Sequence, residues 1–195
     1  MAEFTAHIAN LGKYNAGVLA DTTLSFPATT EQVQAALGEI GIDRLFSSEI
    51  VILDYNIGIK GVARALGEYT HIDELNYLAS RLEGLDPEDM GKFIAAVEHG
   101  EYAGSAEQLI NLTYNLDRYE LYPVQNAEEY GLWLVDELAA MELPEQARDY
   151  FDFEAYGEAT AINEGGTFTS RGYMLAGPDP FQKVYDGQHV PEQYK

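Results

Sequence analysis

A chain of 195 residues, 46% hydrophobic and 12% aromatic, has ample apolar material for a folded interior. Its 33 acids against 11 bases leave a net charge of −22, which argues strongly against direct binding to nucleic acid or an anionic membrane, since both need Lys and Arg patches. There is no Cys, which excludes disulfides, thiolate metal sites and cysteine nucleophiles, and no apolar run approaches the roughly 20 residues of a membrane span.

The amino terminus, MAEFTAHIANLG, has neither a basic n-region nor an apolar h-region, which leads us to expect a soluble cytoplasmic protein. Phe4, Ala6 and Ile8 alternate with polar neighbours, LGKYNAG (Leu11 to Gly17) interrupts, and Val18 to Phe26 reads as a second extended run. Thr29 with Gln32 forms a capping box for a helix that carries Val33, Ala36, Leu37 and Ile40 on one face and stops at Gly41. Glu49 to Tyr55 is a β-branched run that completes a small sheet, so residues 1–60 are expected as a first α+β domain.

From Thr70 the period becomes helical. Leu75, Leu78, Ala79 and Leu82 share one face before Gly84; Asp86-Pro87 opens a helix with Met90, Phe93, Ile94 and Val97; the Ser105/Gln108 box opens a third with Leu109, Leu112 and Leu116. Residues 61–116 are thus expected as a helical middle domain with Leu75, Leu78, Phe93, Ile94, Leu109 and Leu112 at its core.

Asp117 to Val124 reads as a short strand, and the Asn126/Glu129 box launches a helix on which Tyr130, Leu134, Val135, Leu138, Ala139 and Met141 cover more than one core-facing stripe. Such a helix must bury two sides. Pro144 restarts a helical pattern over Glu145 to Tyr150, and Ala159 to Met174 reads as a hairpin turning at Glu164-Gly165-Gly166. Residues 117–176 are expected as an acidic α+β domain. The stretch 177–195, with three prolines, two glycines and no period, is expected to be extended or partly disordered.

The four histidines, His7, His71, His99 and His189, fall in no zinc-binding frame, and neither a nucleophile elbow, a phosphate-cradling glycine loop nor an EF-hand is present. Asp152 and Glu154 would share a face if Phe151 to Ala155 were extended, as an acid–base pair in glycoside hydrolysis requires, yet 33 acids place such pairs everywhere by chance. The expectation is no enzyme, no catalytic residue, no cofactor and no metal.

Negative charge concentrates between Ala127 and Glu164, where eleven acids face one base, Arg148. Aromatic and large apolar residues are woven between those acids, unlike an acidic disordered tail. A strongly solvated or halophilic surface would account for the acids alone.

Several collinear segments carry a resemblance: HIANLGKYNAG (His7 to Gly17), Leu24 to Pro27, Ile40-Gly41, Leu53-Asp54-Tyr55, Ile72 to Asn76, YGLWLVDEL (Tyr130 to Leu138), Leu143-Pro144-Glu145, Asp149 to Gly157 and Gly165 to Phe168. Over roughly residues 4–175 the chain resembles the ArdA antirestriction proteins. The resemblance implies an elongated homodimer, each chain an α+β array of three small domains, that mimics B-form DNA and occupies the DNA-binding groove of type I restriction-modification enzymes. It implies that Asp117, Glu120, Glu128, Glu129, Asp136, Glu137, Glu142, Glu145, Asp149, Asp152, Glu154 and Glu158 stand in for phosphates. The wide apolar arc, taken with the resemblance, places Tyr130, Leu132, Trp133 and Val135 at the dimer interface. The alternative is an acidic adaptor or scaffold that binds some other basic protein.

Overall fold

The computed structural model describes residues 3–42 and 50–195. Its architecture is α+β, small antiparallel sheets with helices packed beside them. Contacts group the residues into two compact units, each assembled from separated segments. One comprises Met1–Asp86, Gly100–Tyr114 and Gln182–Lys195, the other Pro87–His99 and Asn115–Phe181.

The first unit opens with β1 (Phe4–Asn10), the one-turn α1 (Leu11–Asn15), β2 (Asp21–Ser25), α2 (Thr30–Glu39) and β3 (Ile50–Ile57). Its sheet has the order β2-β1-β3, antiparallel throughout, with a register shift between His7 and Ile8 where β1 meets β3. Alternation along β1 sends Phe4, Ala6 and Ile8 into the core. The Thr29/Gln32 box caps α2 as expected: Gln32 N donates to Thr29 Oγ1 at 3.3 Å and Thr29 N to Gln32 Oε1 at 2.8 Å. The expected third strand began at Glu49, which lies outside the described residues; β3 runs from Ile50.

After α3 (Val62–Ala65), helix α4 (Ile72–Glu83) places Leu75 and Leu78 at zero exposure, and in this unit it packs against α6 (Ala106–Leu112), whose Leu109 and Leu112 are equally buried. The carboxy-terminal stretch docks on the same helices. Asn111, 2% exposed, accepts from the backbone N–H groups of Val184 and Tyr185 at 2.7 and 2.8 Å and donates to the Tyr185 carbonyl at 2.9 Å. Tyr185 is buried against Tyr77, and Tyr194 stacks on Tyr77 at 4.3 Å. The stretch from Gly177 has no regular secondary structure over most of its length, yet Tyr185 and Val190 are core residues. An amphipathic period is not needed where single side chains anchor an extended segment.

The second unit contains α5 (Pro87–His99), β4 (Tyr119–Tyr122), α7 (Ala127–Asp136), the one-turn α8 (Glu145–Arg148), α9 (Phe153–Glu164), β5 (Thr167–Thr169) and β6 (Gly172–Ala176). Its sheet has the antiparallel order β4-β6-β5. Helix α5, read from sequence as the middle member of a three-helix group, packs here against β4, β5 and β6, so Phe93 and Ile94 belong to this unit's interior. Periodicity shows that a helix has an apolar face and not which face receives it.

Two elements differ from the sequence expectation. The run expected as the first arm of a hairpin, Ala159 to Glu164, is the second half of α9, and the hairpin is β5–β6, turning at Ser170-Arg171. Gly165 is then a left-handed helix cap at φ 72°, a role glycine fills without steric cost. Helix α7 ends at Asp136, so Leu138 and Ala139 lie beyond it and are exposed.

Candidate functional site

Helices α7 and α9 cross so closely that their backbones touch. A Cβ added at Gly157 would sit 1.9 Å from the Ala127 carbonyl oxygen, and one at Gly131 would sit 2.0 Å from the Phe153 carbonyl oxygen. No side chain larger than hydrogen fits either position. The crossing rests on a core of Val124, Tyr130, Leu134, Ala161 and Tyr173, with Tyr122, Trp133, Tyr156 and Phe168 packed against it. Tyr130 and Tyr173 lie 4.1 Å apart between ring centres, and both hydroxyls donate to Glu164 Oε2, at 2.7 and 3.3 Å. Burial and then the Glu164 carboxylate push the Tyr173 phenol up to about 12, and the same two causes raise Tyr130.

Acids cover the outside of this frame. All twelve predicted phosphate-mimicking residues, Asp117, Glu120, Glu128, Glu129, Asp136, Glu137, Glu142, Glu145, Asp149, Asp152, Glu154 and Glu158, are exposed. Four of them also hold local structure. Asp152 caps α9, accepting from Ala155 N at 2.9 Å; Glu129 accepts from Gln125 N at 2.7 Å and Asn126 Nδ2 at 2.9 Å; Glu120 accepts from the Tyr122 hydroxyl. Asp136 takes both terminal nitrogens of Arg148, at 2.7 and 2.6 Å, and that guanidinium lowers its pKa. Among the described residues Asp136 is the one member of the set held in an ion pair with a base.

The local fold sets the spacing of the charges. Glu154 and Glu158 stand one turn apart on α9 and Ile162 follows at the next turn, 72% exposed. Four helical residues advance about 6 Å, whereas a DNA strand carries a phosphate roughly every 3.4 Å, so a single helical stripe has about half the charge density of one strand. Matching a duplex therefore takes several elements. Asp152 and Glu154 do not share a strand face, because α9 begins at Phe153 and makes Asp152 its cap; the geometry proposed for a carboxylate pair is absent.

The four apolar residues expected at a dimer seam separate. Tyr130 is 2% exposed inside its own chain's core and Val135 is 9% exposed, while Leu132 and Trp133 are half-buried. The second apolar side of α7 is thus largely covered by α9 and by the aromatic residues of the sheet.

Three features escaped the sequence reading: the glycine crossing, the Tyr130–Glu164–Tyr173 cluster, and a groove of about 660 Å³ between the start of α7 and α9. An isolated glycine inside a helical pattern is the available signal for the first, since it costs about 1 kcal/mol against alanine and is kept for a packing reason. Among the described residues no helix is long and apolar enough to cross a membrane, and no group of three or more His, Asp or Glu side chains is placed to hold a metal ion.

No curated protein matches the chain. The family model described as antirestriction protein (ArdA) matches residues 6–175, from the first strand to the last strand of the second sheet, and leaves the docked carboxy-terminal stretch outside. With that match spanning all but the two ends, the chain belongs to the ArdA family of antirestriction proteins.

Proposed function

We propose that this ArdA-family chain acts as a B-form DNA mimic that occupies the DNA-binding groove of type I restriction-modification enzymes and blocks restriction, without catalysis of its own. The observation that carries the reading is the exposure of all twelve candidate acids on a chain with a net charge of −22. Carboxylates on a rigid frame offer a basic groove what phosphates offer it, and the long-range field steers the encounter. A dimer would carry −44, twice the charge in the sequence, equal to the phosphates of about 75 Å of duplex.

The pairing into an elongated homodimer and action in the cytoplasm belong to the same proposal. With Tyr130 and most of Val135 buried within the chain, Leu132 and Trp133 are the seam residues that α7 still offers.

The test is a restriction assay with a purified type I enzyme on unmodified DNA, with this protein titrated in, alongside competition against labelled DNA. Inhibition that weakens as salt rises, with displacement of the DNA, supports the reading. Binding that leaves the labelled DNA in place would instead favour an acidic adaptor.

A further inference from the structure

The groove beside α9 has a character that phosphate mimicry does not require. Glu154, Glu158 and Ile162 of α9 line it, with Asn126 and Ala127 from the start of α7, and Phe168 lines it too. Ile162 is among the most exposed large apolar residues of the chain, and it continues the stripe that Glu154 and Glu158 begin. Carboxylates alone would serve to imitate a phosphate row, whereas apolar Ile162 and Phe168 sharing the lining with two carboxylates fit a side chain that is greasy along its stem and cationic at its tip. Arginine is that side chain. Two carboxylates at i and i+4, whose Cβ atoms are about 6 Å apart, can both receive the donors of one planar guanidinium, which a lysine ammonium cannot span as well.

We infer that this groove is a subsite for a single arginine of the protein partner, with the stem against Ile162 and Phe168 and the guanidinium between Glu154 and Glu158. The inference deepens the DNA-mimic reading and rests on it for the partner. Under it the basic groove of the target is engaged by one seated side chain in addition to the diffuse field.

The experiment needs no restriction enzyme. The full chain, isotopically labelled, is titrated with acetyl-Gly-Arg-Gly-amide while backbone amide shifts are followed, and the same titration is made with the citrulline peptide, its uncharged isostere. The expected result is shifts concentrated at residues 125–127, 154–162 and 165–168, absent with citrulline and several-fold weaker in Ile162→Gln, a change that leaves the charge untouched at an exposed position. Shifts spread evenly over distant acids such as Asp117, Glu142 and Asp149, or an Ile162→Gln variant that binds as the parent does, would overturn the subsite. The two readings fail separately. Arginine seated in the groove of a protein that does not displace DNA from a type I enzyme defeats the mimic and keeps the subsite; displacement with evenly spread shifts does the reverse.

Discussion

Replacing Gly157 by alanine sets two effects of opposite sign against each other. In a helix interior alanine is favoured over glycine by roughly 0.5–1 kcal/mol, because glycine loses more backbone freedom on folding. At Gly157, however, the new Cβ would lie 1.9 Å from the Ala127 carbonyl oxygen and 2.7 Å from the Gly131 nitrogen. Ordinary van der Waals separations are about 3.5 Å, so α7 and α9 must part by more than about 1 Å, which loosens the Tyr130–Tyr173 core between them. Backbone atoms cannot swing aside as a side-chain tip can. Overpacking of this kind costs roughly 1–3 kcal/mol and more when backbone must move, so the net change is a destabilisation of about 2 kcal/mol, a fall in Tm of roughly 4–8 °C. The assay is thermal unfolding followed by the fluorescence of Trp133, the only tryptophan, which sits on α7 itself. Gly38→Ala is the control, for that position near the end of α2 has nothing within 4 Å of an added Cβ and should be neutral or slightly stabilising. If Gly157→Ala melts at or above the parent temperature, the close crossing is not what holds these helices.

Neutralising single acids, Glu137→Gln or Asp149→Asn, should weaken inhibition by no more than roughly fivefold each, as exposed charge contacts do, with losses accumulating on combination; one substitution that abolishes inhibition in a folded protein would contradict distributed mimicry. Arg148→Gln should strengthen inhibition modestly by releasing Asp136, and Asp136→Asn should cost less than Glu137→Gln, both read as inhibition constants at two salt concentrations. In alkali, Tyr173 titrates at about 12 in the folded chain against about 10 when unfolded, so its protonated form is favoured by folding. That stability is complete below about pH 10 and is lost as pH rises towards 12; with 14 tyrosines in the chain the signal is isolated by difference, and the phenolate absorbance lost in Tyr173→Phe should belong to the late rise that accompanies unfolding, whereas a difference confined to an early rise without unfolding would contradict it. Asn111→Leu should destabilise the first unit by about 1–3 kcal/mol in chemical denaturation, because the buried N–H groups of Val184 and Tyr185 lose their acceptor.

Much of this fold could be read from local chemistry. The Thr29/Gln32 box, the Ser105 and Asn126 caps and the alternation of Phe4, Ala6 and Ile8 each depend on residues within a few positions, and each is where the sequence suggests. What could not be read depends on partners distant in the chain. Helix α5 has an apolar face whichever sheet receives it, and α9 lacks a one-sided apolar stripe, so its second half, Ala159 to Glu164, reads as a strand. Gly157 signals at most some packing reason for a glycine; only the approach of Ala127 shows which contact it serves. The acidic set was legible because charge seeks water irrespective of fold, whereas the groove beside Glu154 and Glu158 needed α7 and α9 to be placed before it existed.

The clasp that Asn111 makes on Val184 and Tyr185 also bears on the order in which the protein is synthesised. Chain growth delivers α4 and α6 early, with α5 between them, then the rest of the second unit from Asn115 to Phe181, and only afterwards the residues that cover Tyr77 and bind Asn111. The first unit to emerge is therefore the last to be completed, and while the ribosome works through the second, the tyrosine face and the Asn111 side chain have yet to receive Tyr185 and Tyr194. A nascent chain arrested before Tyr185 should be captured by chaperones or cleaved within its amino-terminal half, even though that half is already fully translated.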